Sequence, residues 1–176
     1  MASPVAHSLA GAIIFYAVHR RRTVVDPDLW WLILAANLAD LDLIPSMLLG
    51  DHSLFHRTFS HSVTGAFLFA LAVYAVCRWR EHHAAVRTTL VMFTAYLSQL
   101  LVDWFSFDSG PPAGIPLLWP FSDRHYIADP TVFLNIERDN LLSATVIIHN
   151  IKAVLLELAI LGPPAMLLWW WSGRKR

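Results

Sequence analysis

The chain has 176 residues, of which 56% are apolar and 15% are charged, whereas soluble domains average about 45–50% apolar and about 25% charged residues. This composition predicts an integral membrane protein, and the length predicts one domain, residues 1–176. The formal net charge is zero and the sequence has no basic stripe, so nucleic acid is not expected as a partner. The single cysteine, Cys77, excludes an intrachain disulfide and a cysteine-rich zinc site.

Five apolar stretches follow one another along the chain, and a membrane-spanning helix needs about 20 such residues. The first is short, so we expect it to be tilted or only partly inserted. The last is too long for one straight span, and its Gly162, Pro163 and Pro164 predict one kinked helix or a helix pair, because each proline removes a backbone donor. The predicted fold class is all-α, a polytopic membrane helix bundle with four to five transmembrane helices. The predicted spans are Pro4–His19, Leu29–Leu49, Phe59–Trp79, Val86–Phe107 and Leu141–Trp171.

Basic residues orient these spans. They concentrate at residues 20–22, 78–87 and 174–176, whereas the connectors 50–58 and 108–140 carry few of them for their length. With five spans, all three basic segments fall on one side, which the positive-inside rule makes cytoplasmic. The sequence thus predicts a multi-pass inner-membrane protein whose amino terminus and long loop 108–140 are extracytoplasmic.

Ionisable residues lie at the outer ends of four different spans. A charged group inside a bilayer costs at least about 2.5–3.5 kcal/mol, so such groups persist when they are paired, coordinated or functional. Histidine and carboxylate without cysteine suit zinc, with manganese or iron as alternatives. Six ligands are more than one catalytic zinc uses, which favours two ions about 3.5–4 Å apart. The predicted ligands are His7, Asp40, Asp42, His56, His61 and Asp103.

The spacing of Asp40 and Asp42 constrains this site. Residues two apart face nearly opposite ways on a regular helix. Either the chain is unwound before Pro45, or one aspartate is a ligand and the other orients a histidine from behind. Both possibilities remain open at this stage.

The connector between the second and third spans offers an anion-binding feature. If the third helix begins between His56 and His61, Thr58 or Ser60 is its N-cap. The free backbone N–H groups of the first turn would then suit an anion. Arg57 adds a planar fork of donors for phosphate or carboxylate.

Taken together, four motifs resemble those of a bacterial and archaeal family of inner-membrane metal-dependent hydrolases. They are a histidine at position 7 followed by a glycine at 11, "DLDLIP" at 40–45, "HRTFSHS" at 56–62 and "LWPF" at 118–121. The resemblance covers about residues 6–126, with one departure at Ser60, where the family usually has threonine. It implies that the six predicted ligands hold the metal.

We therefore expect a hydrolase that acts on an ester or phosphoester, most readily of a lipid or a lipid-linked substrate at this depth of the bilayer. A metal ion lowers the pKa of water to about 7 and so supplies the nucleophile. Arg57 and the helix N-terminus at Ser60 would stabilise the developing negative charge, and Asp40 or Asp42 would be the general base. Residues of the long loop are the other candidates for substrate binding: Asp108, Arg124 and His125.

Two other functions compete with this hypothesis. A transporter would use the aspartates and histidines as a cation path, but the cytoplasmic halves of spans two to four are apolar. A structural protein would use the metal only to hold helices together. A second polar group, His149, Lys152 and Glu157, is explained as well by interhelical hydrogen bonds or a Lys152–Glu157 pair as by chemistry.

Overall fold

The computed structural model describes residues 1–19, 26–44, 58–110 and 112–173. Within these ranges the secondary structure is helical, with no strand and only two isolated β-bridges. This confirms the prediction of a helical membrane fold. The α-helices are α1 Pro4–His19, α2 Pro27–Ala36, α3 Val63–Trp79, α4 Ala85–Trp104 and α5 Ala144–Ser172.

Two of these helices, α4 and α5, are long and apolar enough to cross a membrane. The other three are apolar but have only 16, 10 and 17 residues. Helical structure continues in α5 through Pro163 and Pro164 for 29 residues, so the carboxy-terminal segment is one helix and not a helix pair. At 1.5 Å per residue it is about 43 Å long, more than the hydrocarbon thickness of about 30 Å.

The second predicted span, Leu29–Leu49, is wrong as a single helix. The helix α2 starts at the N-cap Asp26, whose carboxylate accepts a hydrogen bond from the Asp28 amide, and it ends at Ala36. A 3₁₀ turn then covers Ala39–Asp42. Unwinding before Pro45 is therefore the arrangement that the chain adopts.

The start of the third helix also differs from the prediction. A 3₁₀ turn covers Phe59–His61, and Ser62 follows in an extended conformation. The Ser62 hydroxyl accepts a hydrogen bond from the Gly65 amide at 3.0 Å, which makes Ser62 the N-cap. The predicted caps Thr58 and Ser60 are wrong, because the 3₁₀ turn delays the start of the helix.

The helices pack around a triangle of α1, α2 and α4, with α3 against α4 and α5 against α1. Close approach of α1 and α2 depends on Gly11, where a Cβ atom would lie 2.9 Å from the Leu32 carbonyl oxygen. The missing side chain at Gly11 therefore permits this close approach. We define two ends of the bundle. At the loop end, α1 and α3 begin and α2 and α4 terminate. At the hairpin end, α3 joins α4.

The segment between α4 and α5 covers the loop end. Its backbone is tied to the start of α3, where the Val63 amide donates to the Leu117 carbonyl at 2.9 Å, and to the amino terminus, where the Ile136 amide donates to the Met1 carbonyl at 3.1 Å. Met1 is only 4% exposed. The loop therefore encloses the first residues of the chain together with both 3₁₀ turns.

Gly11→Ala is expected to lower the free energy of unfolding by about 1–3 kcal/mol, because its methyl group meets backbone atoms of α2 that cannot move without separating the helices. Gly162→Ala is the matched control, since no atom lies within 4 Å of its Cβ position. The control is expected to change stability by less than about 1 kcal/mol, because the helix propensity of alanine is offset by the steric restriction on a residue that precedes a proline. Denaturant unfolding of the purified protein in detergent measures both, and equal stability of the two variants would contradict the close packing.

Candidate functional site

Four segments bring five of the six predicted ligands together at the loop end. His7 lies in α1, Asp40 and Asp42 in the first 3₁₀ turn, His61 in the second and Asp103 at the end of α4. We call these five residues the His/Asp cluster. His7 and His61 are completely buried, and the aspartate side chains are at most 10% exposed. The remaining ligand His56 and its neighbour Arg57 lie outside the described residues.

Two aspartates of the cluster lie between its two histidines. His7 Nε2 is 3.6 Å from Asp40 Oδ2 and 3.5 Å from Asp103 Oδ1. His61 Nε2 is 3.2 Å from Asp40 Oδ1 and 3.8 Å from Asp103 Oδ2. Each carboxylate thus presents one oxygen to each imidazole.

Asp42 lies behind His61. Its Oδ2 atom is 3.1 Å from His61 Nδ1 and accepts a hydrogen bond from the Ser60 hydroxyl at 2.6 Å. Because the turn is 3₁₀, both aspartates reach the same imidazole from opposite sides. The geometry therefore combines both alternatives from the sequence: the chain is unwound, Asp40 faces the shared centre, and Asp42 holds the His61 ring.

The cluster fits a divalent ion by its donor chemistry. One ligand atom each from His7, Asp40 and Asp103 lies within 4.8 Å of the other two. Two ligands of a tetrahedral zinc ion with bonds of about 2.1 Å are about 3.4 Å apart, and the four nitrogen–oxygen separations of 3.2–3.8 Å lie around this value. Both ring nitrogens of His7 and Asp103 Oδ2 are buried without a hydrogen-bond partner in the described parts of the chain. Such atoms are expected where an ion supplies the missing partner.

One face of α4 holds both 3₁₀ turns in place. The Tyr96 hydroxyl donates to the Ser60 carbonyl at 2.7 Å, and Gln99 Oε1 accepts from the Ala39 amide at 3.0 Å. Tyr96, Gln99 and Asp103 recur at helical spacing, so one side of an apolar helix carries three polar groups. Sequence reasoning missed Gln99, although this periodic polar stripe was a signal that could have identified it.

Glycine at position 65 allows the second turn to approach α3. A Cβ atom there would overlap the Phe59 carbonyl oxygen and lie 3.1 Å from the Ser60 carbonyl oxygen. The turn that carries Ser60 and His61 can therefore fold back on the first turn of α3 only because residue 65 has no side chain.

The amino terminus is part of the site. The Ala2 amide donates to Asp103 Oδ1 at 3.1 Å. The Ser3 amide donates to Glu157 Oε1 at 2.7 Å, and the Ser3 hydroxyl donates to the other oxygen of the same carboxylate. Glu157 is completely buried, so α5 anchors the beginning of α1 one turn before His7.

This pairing favours hydrogen bonds between elements, one of the alternatives left open for this polar group, over a Lys152–Glu157 pair. Lys152 is exposed, because the two residues do not share a face of α5. The other polar residues of that helix bind the long loop. His149 Nε2 lies 2.9 Å from the Asn135 carbonyl, and Asn150 exchanges two hydrogen bonds with the backbone of Glu137.

The long loop supplies a basic residue that the sequence reasoning missed. Arg138 is half-buried and lies close enough to Asp40 for a favourable electrostatic interaction. No motif marked it, because only the fold of the loop brings residue 138 near residue 40.

The three predicted substrate-binding residues of this loop lie apart from the cluster. Asp108 accepts hydrogen bonds from the Gly110 and Gly114 amides at 3.1 and 2.8 Å, which stabilises the loop. Arg124 is exposed and His125 is half-buried. Among the described residues, neither of these two makes a hydrogen bond or ion pair with the cluster.

Comparison with known proteins places the chain in a family. The family model described as YdjM inner membrane protein matches residues 1–175. The chain belongs to the YdjM inner membrane protein family. The match supports a location in the inner membrane and association with the lipid bilayer, and the family description names no activity. No curated protein and no solved structure matches the chain.

Glu157→Ala is expected to lower the free energy of unfolding by about 1–3 kcal/mol, because it leaves the buried Ser3 amide without an acceptor. Lys152→Ala is the matched control on the same helix and is expected to change stability by less than about 0.5 kcal/mol. Thermal unfolding in detergent compares the two variants. If Glu157→Ala unfolds together with the control, Glu157 does not anchor α1.

Proposed function

We propose that the chain is a membrane-embedded, metal-dependent hydrolase of an ester or phosphoester, with a lipid or lipid-linked substrate. The observation that carries this proposal is the sharing of Asp40 and Asp103 between His7 and His61 within an apolar bundle. Three carboxylates at this depth need compensating positive charge. Divalent ions would provide that charge and would also give His7 Nε2, which is buried without a hydrogen-bond partner among the described residues, a binding partner.

The arrangement favours two ions over one. Each aspartate directs a different oxygen toward each histidine, as bridging carboxylates do in two-metal sites. His7 with one oxygen from Asp40 and one from Asp103 would hold the first ion. His61 with the other two oxygens would hold the second, and zinc, manganese or iron suits these donors. His56 stays a further predicted ligand.

Two ions held in this way keep positions for water and substrate. Each would have three protein donors from the described residues, as catalytic zinc sites have, whereas a purely structural zinc site has four. When bound, the ions would polarise an ester or phosphoryl oxygen and make water more acidic.

The residues around the cluster would support that chemistry. Asp42 fixes the tautomer and orientation of the His61 ring through Nδ1, which is the usual role of a carboxylate behind a metal-binding histidine. Ser60 holds Asp42 by its hydroxyl, so it serves as a positioning residue and not as a helix N-terminus. Arg138 provides the cation that would bind an anionic oxygen of the substrate. Arg57 stays a second predicted cation.

The position of the cluster supports a lipid-like substrate. Glu157, which lies at the level of Ser3, is 15 residues before Ser172, the end of α5. This separation is about 23 Å, so the cluster would lie within a hydrocarbon layer about 30 Å thick. A lipid reaches such a depth laterally, which a small polar molecule does not.

We also propose five membrane spans with the loop end extracytoplasmic, because the basic segments 20–22, 78–87 and 174–176 then share the cytoplasmic side. A variant with Cys77→Ser and a single new cysteine at Ser109 is expected to react with a membrane-impermeant maleimide in spheroplasts. One with a cysteine at His83 is expected to react only after lysis. The opposite pattern would overturn the orientation.

Wild-type protein purified in detergent is expected to contain about two equivalents of zinc or manganese by elemental mass spectrometry. His7→Ala and His61→Ala should each retain about one equivalent, and Asp103→Asn should lose both, because its carboxylate is shared. His83→Ala, an exposed histidine of the hairpin end, is the control and should retain two. Equal metal content in all variants, with unchanged size-exclusion profiles, would show that the cluster binds no metal.

Arg138→Gln is expected to lower kcat/KM about 100-fold on any lipid ester or phosphoester that the metal-loaded protein hydrolyses, because a fixed cation near developing charge is lost. Arg124→Gln, from the same loop but exposed, is the control and should keep full activity. A panel of phospholipid and polyprenyl phosphate esters in mixed micelles measures this. Metal-loaded wild type without activity across the panel would favour the helix-joining role.

A further inference from the structure

A cavity lies between helices of the bundle, away from the His/Asp cluster. It has a volume of about 590 Å³ and lies between α2, α3 and α4, within the usual range of about 300–1,000 Å³ for ligand pockets. Most of its walls are apolar side chains, with Leu38 and Phe69 toward the loop end and Val76 and Val91 toward the hairpin end. We call this cavity the crevice.

The crevice exists because of how the helices pack. Both α2 and α3 pack against α4, but they do not pack extensively against each other. The two 3₁₀ turns meet above them, which closes the gap at the loop end. Below that contact the small residues Ala35 and Ala72 line the space, and Trp31 and Val76 on its rim are exposed. The gap is therefore open sideways, toward lipid.

The hairpin end of the crevice is polar. His19, His82 and Arg87 line it together with one acidic residue, Asp28. The Asp28 carboxylate is 3.5 Å from His19 Nε2, so its charge is directed at that histidine. His82, Arg87 and Ala84 also line another cavity between α3 and α4, whose walls include both Arg78 and Glu81. Among the residues that line the crevice, Arg87 carries the fixed positive charge.

The first turn of α4 adds anion-binding groups at the same place. The helix begins at Ala85 after Ala84, which makes no side-chain cap. The Ala85 amide donates to the His82 carbonyl at 3.1 Å. The remaining amides of the first turn suit an anion, and they lie beside the exposed Arg87 side chain. Cationic pockets between transmembrane helices bind the head groups of anionic lipids.

We propose that the crevice is a binding site for one anionic phospholipid, with its phosphate at Arg87, His82 and the start of α4 and one acyl chain along α2 and α3. The length of the crevice matches this occupant. Asp28 and Leu38, which line it, are ten residues apart in the sequence, a separation of about 15 Å along a helix. This is half of the hydrocarbon thickness of about 30 Å, and so the thickness of one leaflet. The site is distinct from the His/Asp cluster and does not depend on hydrolysis.

Native mass spectrometry of the detergent-purified protein tests the proposal, with phosphatidylglycerol as the probe and phosphatidylcholine of the same chains as the uncharged comparison. We expect one phosphatidylglycerol per chain to bind at least tenfold more tightly than phosphatidylcholine. Ala72→Phe, which fills the crevice, is expected to weaken this binding at least tenfold. Its matched control is Ala75→Phe, an exposed position of α3 that lines neither cavity.

The head-group contact has its own pair of variants. Arg87→Gln is expected to weaken phosphatidylglycerol binding about fivefold, the effect of one basic residue near an anionic surface, and to leave phosphatidylcholine binding unchanged. Arg80→Gln, a basic residue of the same hairpin that lines neither cavity, should bind like wild type. Equal binding of both lipids, or equal loss in Ala72→Phe and Ala75→Phe, would mean that the crevice holds only bulk lipid and would overturn the proposal.

Discussion

The burial of three carboxylates in an apolar helix bundle is the constraint on which the loop end depends. Among the described residues, Asp40, Asp42 and Asp103 lie within reach of two imidazoles, and like charges this close are costly in a medium that solvates them poorly. The nearby Arg138 reduces that cost. Several features of the structure follow from the same need, including the Ala2 amide that donates to Asp103 and the first 3₁₀ turn, which aims Asp40 and Asp42 inward.

A single helix face organises this end of the molecule. Tyr96 and Gln99 of α4 each hold the backbone of one 3₁₀ turn, and Asp103 on the same face enters the cluster directly. On the opposite flank, Glu157 of α5 fixes Ser3 and hence the turn before His7. The cluster is therefore held by two helices that each use buried polar groups as supports.

The two ends of the bundle have opposite chemistry. The loop end gathers carboxylates and imidazoles in a closed interior, and the hairpin end exposes arginines around an open, apolar crevice. The contact between the two 3₁₀ turns separates them, since it forms the floor of the cluster and the upper limit of the crevice. A chain whose formal charges sum to zero thus carries the proposed cation site at one end and the proposed site for an anionic head group at the other.

From the sequence alone, apolar periodicity and charge placement determined the helical membrane fold, the bounds of α1 and, within three residues, both ends of α4. They also identified His7, Asp40, Asp42, His61 and Asp103, because ionisable groups are conspicuous in apolar spans. The early end of α2, the cap at Ser62 and the approach of Arg138 were decided by tertiary structure. Local propensity favours continued helix at these apolar residues, and only contacts with α4, Gly65 and the long loop, remote in sequence, offset the lost helical hydrogen bonds.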